Sequence, residues 1–152
     1  MLALALLIGV VAGLRTLTPL AAVSWAANLG WLQLDGTWLS FLGASITPYI
    51  VTALALAELV GDKLPKTPSR KVPIQFGTRI LVGALCGAAL ATPGGATLIG
   101  ILLGAIGAVI GTLGGAAARA RLARAFGNDL PAALLEDAVA VGSAVVIVSR
   151  FS

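Results

Sequence analysis

Apolar residues dominate this chain in long segments that short polar interruptions separate. The longest interruption runs from Glu58 to Lys71 and contains two acids, four bases and two prolines. A helix that crosses a bilayer needs about 20 consecutive apolar residues. The pattern therefore predicts one all-α domain, a polytopic helical membrane bundle over residues 1–152 with about five transmembrane helices, at about residues 2–29, 41–60, 73–90, 96–118 and 131–148, and a polar loop at 61–72.

The first apolar segment carries an unusual interruption, Gly13-Leu-Arg15-Thr16-Leu-Thr18-Pro19. Proline has no backbone N–H, so Pro19 cannot donate to the carbonyl of Arg15, four residues earlier. The first helix is therefore predicted to kink or break at Gly13, Thr16, Thr18 and Pro19, beside a guanidinium group.

Seven of the ten basic residues occur in two segments that the five-span arrangement places on one side of the membrane. They are Lys63, Lys66, Arg70 and Lys71 in the polar loop, and Arg119, Arg121 and Arg124 after the fourth span. The positive-inside rule assigns that side to the cytoplasm, which also puts the N-terminus there. The alternative splits the first segment at Arg15–Pro19 into a re-entrant hairpin, which leaves both termini outside.

Five glycines recur along the fourth span at alternating steps of four and three residues: Gly100, Gly104, Gly107, Gly111 and Gly114. Such a stripe keeps one helix face flat and lets another helix approach closely in lipid. We expect this face to pack against a neighbouring helix along its whole length.

Six charged residues lie within or at the ends of the apolar segments: Arg15, Glu58, Asp62, Arg79, Glu136 and Asp137. A charge at the bilayer centre costs about 2.5–3.5 kcal/mol or more, so these groups should face one another or a wet cavity. We expect Arg15, Arg79, Glu58 and Glu136 to form one polar cluster, which Asp62 joins at its mouth. Asp137 should point elsewhere, because consecutive helical residues diverge by about 100°.

The composition narrows the class of protein. The chain is 59% hydrophobic and 11% charged, with a mean hydropathy of +1.03, which excludes a water-soluble domain with a polar surface. The absence of histidine from the sequence removes imidazole metal sites and the usual catalytic triads, and the single Cys86 is expected to be a buried small side chain. We expect no enzyme activity, no cofactor, no metal and no nucleic-acid partner.

Three stretches of the sequence resemble one family. They are GLRTLTPLAAVSWAA near the start, AELVGDKLPKTPSR in the middle and LPAALLEDAVAVGSA near the end, and the most specific part is Glu58-Leu-Val-Gly61-Asp62-Lys63-Leu-Pro65. Together they resemble a small bacterial membrane family known as domain of unknown function 4126. The resemblance implies a bacterial inner-membrane protein and brings no activity or substrate with it.

Two functions follow from the charged residues. The first is a small transporter or channel, expected to be a homo-oligomer, whose charges and broken helix form a site for an ion, small anionic solute or lipid headgroup. The second is a structural or assembly protein whose charges only lock the helices together. In both, the basic segments should contact anionic lipid headgroups at the cytoplasmic face.

Overall fold

The computed structural model describes residues 2–61, 73–127 and 129–151. Within these ranges the chain forms six α-helices and no strand, as the all-α prediction requires. The helices are α1 Leu2–Leu14, α2 Leu17–Asn28, α3 Thr47–Gly61, α4 Pro73–Ala91, α5 Thr97–Phe126 and α6 Asp129–Ser149.

Three of these helices are long and apolar enough to cross a membrane: α4 with the 3₁₀ turn that follows it, α5 and α6. α1 and α3 are apolar but shorter. Many large apolar side chains are exposed on the outside of the bundle, among them Leu81, Leu98 and Leu102. In a helical protein of this hydropathy, such a surface is the one that lipid covers, and we treat the chain as a membrane protein.

α1 and α5 pack against each other in the same direction. A Cβ atom at Gly9 would overlap the carbonyl group of Gly104, and one at Gly13 would overlap the backbone at Thr112. The residue numbers at the contacts therefore increase together along α1 and α5, which makes the two helices parallel. Glycine at these positions allows the backbones to touch, as small residues do at membrane helix contacts.

α4 packs against α5 in the opposite direction. Gly83 meets Gly104, while Gly87 meets Gly100. Gly104 thus lies between Gly9 of α1 and Gly83 of α4, and the three helices cross backbone to backbone at this residue. We call this contact the glycine crossing.

The glycine stripe of α5 is used at four of its five positions. Gly100 contacts α4, Gly104 contacts both α4 and α1, and Gly107 and Gly111 contact α1. The prediction was wrong for Gly114, where an added Cβ would meet nothing within 4 Å. The helices on either side end their close approach before this residue, so the flat face is covered by two helices in turn and then left open.

α2 and α3 form an antiparallel pair. The indole of Trp25 donates a hydrogen bond of 2.8 Å to the hydroxyl of Thr52 and stacks edge-on against Tyr49, with ring centroids 5.1 Å apart. At the same end, Ser24 donates to the carbonyl of Leu42. These contacts fix α3 alongside α2, with the C-terminal end of α3 beside the N-terminal end of α2.

The boundaries differ from the predicted ones in three places. The first segment is two helices that are separated at Arg15 and Thr16. Of the other residues predicted for the break, Gly13 belongs to the last turn of α1, and Thr18 and Pro19 belong to the first turn of α2. α3 begins at Thr47 rather than near residue 41, because a 3₁₀ turn occupies Ser40–Gly43. α5 continues through its basic end to Phe126, where Gly127 adopts a left-handed conformation (φ 70°) and stops it.

Candidate functional site

The break between α1 and α2 leaves backbone groups of both helices without partners inside their own helix. The N–H of Arg15 makes the last α1 bond, 2.8 Å to the carbonyl of Val11. α2 begins at Leu17, so Pro19 falls in its first turn, where a missing N–H removes no helical bond. The helix therefore breaks before Pro19, because a proline in the first turn of a new helix removes no backbone hydrogen bond.

Glu58 binds the backbone N–H groups at the N-terminus of α2, which have no partner within the helix. Its two carboxylate oxygens accept one hydrogen bond each, from the N–H of Thr16 at 3.0 Å and from the N–H of Leu17 at 2.9 Å. Thr16 makes no capping bond with its own side chain. A carboxylate is favoured at this end because the aligned peptide dipoles give a helix N-terminus a partial positive charge.

Arg79 binds the opposite end of the break. Its guanidinium donates a hydrogen bond of 2.9 Å to the carbonyl of Gly13 in the last turn of α1. The Arg79 side chain is only 4% exposed, and a cation is favoured at the partially negative C-terminus of a helix. An acid from α3 and a base from α4 thus stabilise the two facing helix ends.

Arg15 occupies the break itself and pairs with α6. Its Nε donates to Asp137 Oδ1 at 2.6 Å, its Nη2 makes a second and shorter contact to the same oxygen, and its Nη1 lies 3.8 Å from Glu136 Oε1. Arg15 is 1% exposed. Glu136 also lies 3.5 Å from Arg119 of α5.

The expectation that Asp137 faces elsewhere was wrong. Glu136 and Asp137 diverge around α6 as an ideal helix requires, but a planar guanidinium with donors on several edges contacts both carboxylates from between them. Asp137 is the closer partner of Arg15. This pairing was not visible from the spacing of the acids alone.

We call this group of side chains the charge cluster. Its described members are Arg15, Arg79, Arg119, Glu58, Glu136 and Asp137, all of them within or beside the break. Their formal charges cancel. Asp62, the remaining predicted site residue, and Lys63, Lys66, Arg70 and Lys71 lie outside the described residues.

Two threonines add polar atoms near the break. Thr18 lies in the first turn of α2 and is 8% exposed, and Thr112 of α5 is fully buried with its backbone against Gly13. The hydroxyl oxygens of both have no hydrogen-bond partner in the part of the chain that the structure describes. Thr18 was predicted only as part of the helix break, and Thr112 was missed, since a lone threonine within an apolar span gives no sequence signal.

A cavity of about 140 Å³ lies beside the cluster, between the end of α1 and the helices α5 and α6. Its walls are almost entirely apolar, and Arg119 and Glu136 contribute the charged groups among its lining residues.

The packing partners of the α5 stripe were also missed, although Gly9/Gly13 and Gly83/Gly87 each form the four-residue spacing of close helix contacts.

Comparison with known protein families identifies the family of this chain. Residues 2–149 match the protein family described as Domain of unknown function (DUF4126). The chain belongs to this family. The match covers every described helix of this DUF4126 member, including both halves of the break. No curated protein and no solved structure matches the chain.

Proposed function

We propose that this DUF4126 protein is a small integral membrane transporter or channel with a polar intramembrane site for a small anion or an anionic headgroup. The observation that supports the proposal is the broken first segment inside an apolar bundle. Glu58 binds the N-terminus of α2, and Arg79 binds the C-terminus of α1. Discontinuous helices with exposed ends are how many transporters bind ions and charged solutes near the midplane.

The balance of charge supports the second candidate, a structural protein in which the cluster only locks the helices. Every described member of the cluster contacts either an opposite charge or a helix end. A lock, however, does not require a broken helix, because charged pairs can join continuous helices equally well. The break therefore favours the transport function.

The direction of the helices bears on membrane topology. α1 runs parallel to α5, and α5 ends in the basic residues Arg119, Arg121 and Arg124. If this basic end is cytoplasmic, then α1 begins on the opposite side. We therefore propose the alternative topology, in which α1 and α2 form a re-entrant pair and both termini lie outside, over the five-span arrangement with a cytoplasmic N-terminus.

The remaining assignments follow from the class of protein. We propose a bacterial inner-membrane location, anionic lipid headgroups as neighbours of the basic segments, and a homo-oligomer, because a few short helices enclose little volume.

Anion flux into liposomes tests the function. The purified protein is reconstituted and the entry of chloride, nitrate, formate and phosphate is followed separately. Arg79→Lys keeps the charge but shortens the reach to the carbonyl of Gly13, so flux should fall about tenfold while the protein still folds. Arg124→Lys, at an exposed position on α5, is the matched control and should leave flux unchanged. If anion flux into liposomes with the wild-type protein is no greater than flux into liposomes without protein, the lock is supported instead.

A further inference from the structure

We infer that the N-terminus of α2 is an anion-binding site, occupied in this structure by the Glu58 carboxylate, and that a small monovalent anion takes its place when Glu58 moves away. This inference deepens the proposed function, since it assigns the position and the class of the anion. It begins from the donors: the N–H groups of Thr16 and Leu17 each bind a different oxygen of one carboxylate, at 3.0 and 2.9 Å. A free carboxylate ion fits the same two donors.

A second, independent observation points to a ligand at this end of α2. The Thr18 side chain lies in the same turn and is 8% exposed, yet its hydroxyl has no hydrogen-bond partner among the described residues. A buried hydroxyl without a partner is costly. Glu58 accepts from the two backbone donors and not from this hydroxyl, and we infer that an untethered anion accepts from it as well.

Glu58 is the acid of the charge cluster best placed to leave. It is half-buried, and it is carried by α3, which packs mainly against α2 and the preceding 3₁₀ turn rather than against the central helices. Asp137 and Glu136, in contrast, face the buried guanidinium of Arg15 from α6, which contacts three other helices. Movement of Glu58 together with α3 therefore disturbs the central helices least.

The present occupant indicates the class of anion. Glu58 presents one carboxylate, with one negative charge, to the N–H groups of Thr16 and Leu17. A monovalent carboxylate replaces that group with the same charge and the same two acceptor oxygens, whereas a divalent anion brings an additional negative charge into an apolar surrounding. Size and shape then favour a small carboxylate such as formate or acetate.

Chemical rescue of Glu58→Ala tests this inference. Thermal unfolding of the purified variant is measured in detergent while sodium formate replaces sodium gluconate at constant ionic strength, gluconate being too large for the vacated space. The unfolding temperature should rise with formate concentration and then approach saturation, as binding to the folded state requires. Wild type and Glu58→Gln, whose side chains still fill the site, should show no such rise, and neither should Asp35→Ala, which removes an exposed carboxylate.

A variant that fails to fold is still informative. If Glu58→Ala aggregates in gluconate, formate present during solubilisation should restore a monodisperse species, and aggregation in both salts would overturn the inference. So would a formate response equal to that of Asp35→Ala. In the rescued protein, Thr18→Val should weaken the formate response about fivefold, the loss expected for one hydrogen bond.

The two proposals fail separately. Formate rescue without flux in the liposomes would leave an anion site in a protein that does not transport. Flux in the wild type without rescue of Glu58→Ala would retain transport and place the anion elsewhere than the α2 N-terminus.

Discussion

Arg15 is the residue whose burial most constrains the bundle. Arg15 lies at the break between α1 and α2 and is 1% exposed, and its guanidinium bridges two acids of α6. A buried charge that loses its partner is far more costly than a buried pair replaced as a whole. Arg15 and Asp137 therefore behave as one unit, and each is destabilising without the other.

We expect Asp137→Leu alone to lower the free energy of unfolding by about 3–5 kcal/mol, because it removes the closest described partner of the Arg15 guanidinium. The double variant Arg15→Met/Asp137→Leu should regain most of that loss. Unfolding in detergent, arranged as a double-mutant cycle, measures the coupling between the two sites. Additive losses in the two single variants would show that the pair is not coupled.

At the scale of the helices, glycine determines which elements can touch. α5 contacts α4 through Gly100 and Gly104 and contacts α1 through Gly104, Gly107 and Gly111, while Gly114 meets no neighbour among the described residues. The stripe therefore serves two helices in succession. Each position can be tested with a single added methyl group.

Gly104→Ala should abolish or strongly reduce the folded protein, because the new Cβ would overlap the Gly83 carbonyl, a backbone atom that cannot turn aside. Gly114→Ala adds the same methyl group to the same helix in open space, and should stabilise α5 by up to about 1 kcal/mol through helix propensity. The yield of monodisperse protein and its unfolding temperature compare the two. Equal behaviour of the two variants would refute the packing role of Gly104.

At the scale of the whole molecule, the parallel packing of α1 and α5 places the start of α1 and the basic end of α5 at opposite ends of this helix pair. The topology we propose places the residues at both chain ends opposite Arg124. The five-span arrangement instead places the N-terminus with Arg124, so one labelling experiment separates them.

Single cysteines at Ala3, Arg124 and Arg150, all exposed, provide that experiment. Cys86 is the one cysteine of the sequence and is buried, so Cys86→Ala gives a background without thiols. A membrane-impermeant maleimide added to intact cells should label Ala3→Cys and Arg150→Cys but label Arg124→Cys only after lysis. Protection of Ala3→Cys together with Arg124→Cys would restore the cytoplasmic N-terminus.

The sequence predicts the features that have local causes. Pro19 identifies the break because a missing N–H has a fixed consequence for the helix around it. The cost of charge in lipid brings the arginines and acids together without any knowledge of the fold. The glycine spacing likewise predicts a contact face on α5.

Features that depend on direction or on partners were not predictable in the same way. Glycine spacing is the same for parallel and antiparallel neighbours, so the sequence could not predict that α1 runs parallel to α5. The segment between α2 and α3 contains no α-helix, yet four of its leucines, Leu32, Leu34, Leu39 and Leu42, are buried in the core. Four leucines in an irregular segment have no helical period that could have indicated their burial.

The glycine crossing has a mechanical consequence. Backbone packed directly on backbone leaves no side chain at the contact that could change rotamer to absorb a movement. α1 makes such contacts with α5 at Gly9 and again at Gly13, one turn further along, so the end of α1 cannot tilt towards α5 without forcing backbone atoms together. The Gly13 carbonyl that Arg79 binds is therefore held on a rigid support, and any movement at the break is expected on the side of α2 and α3.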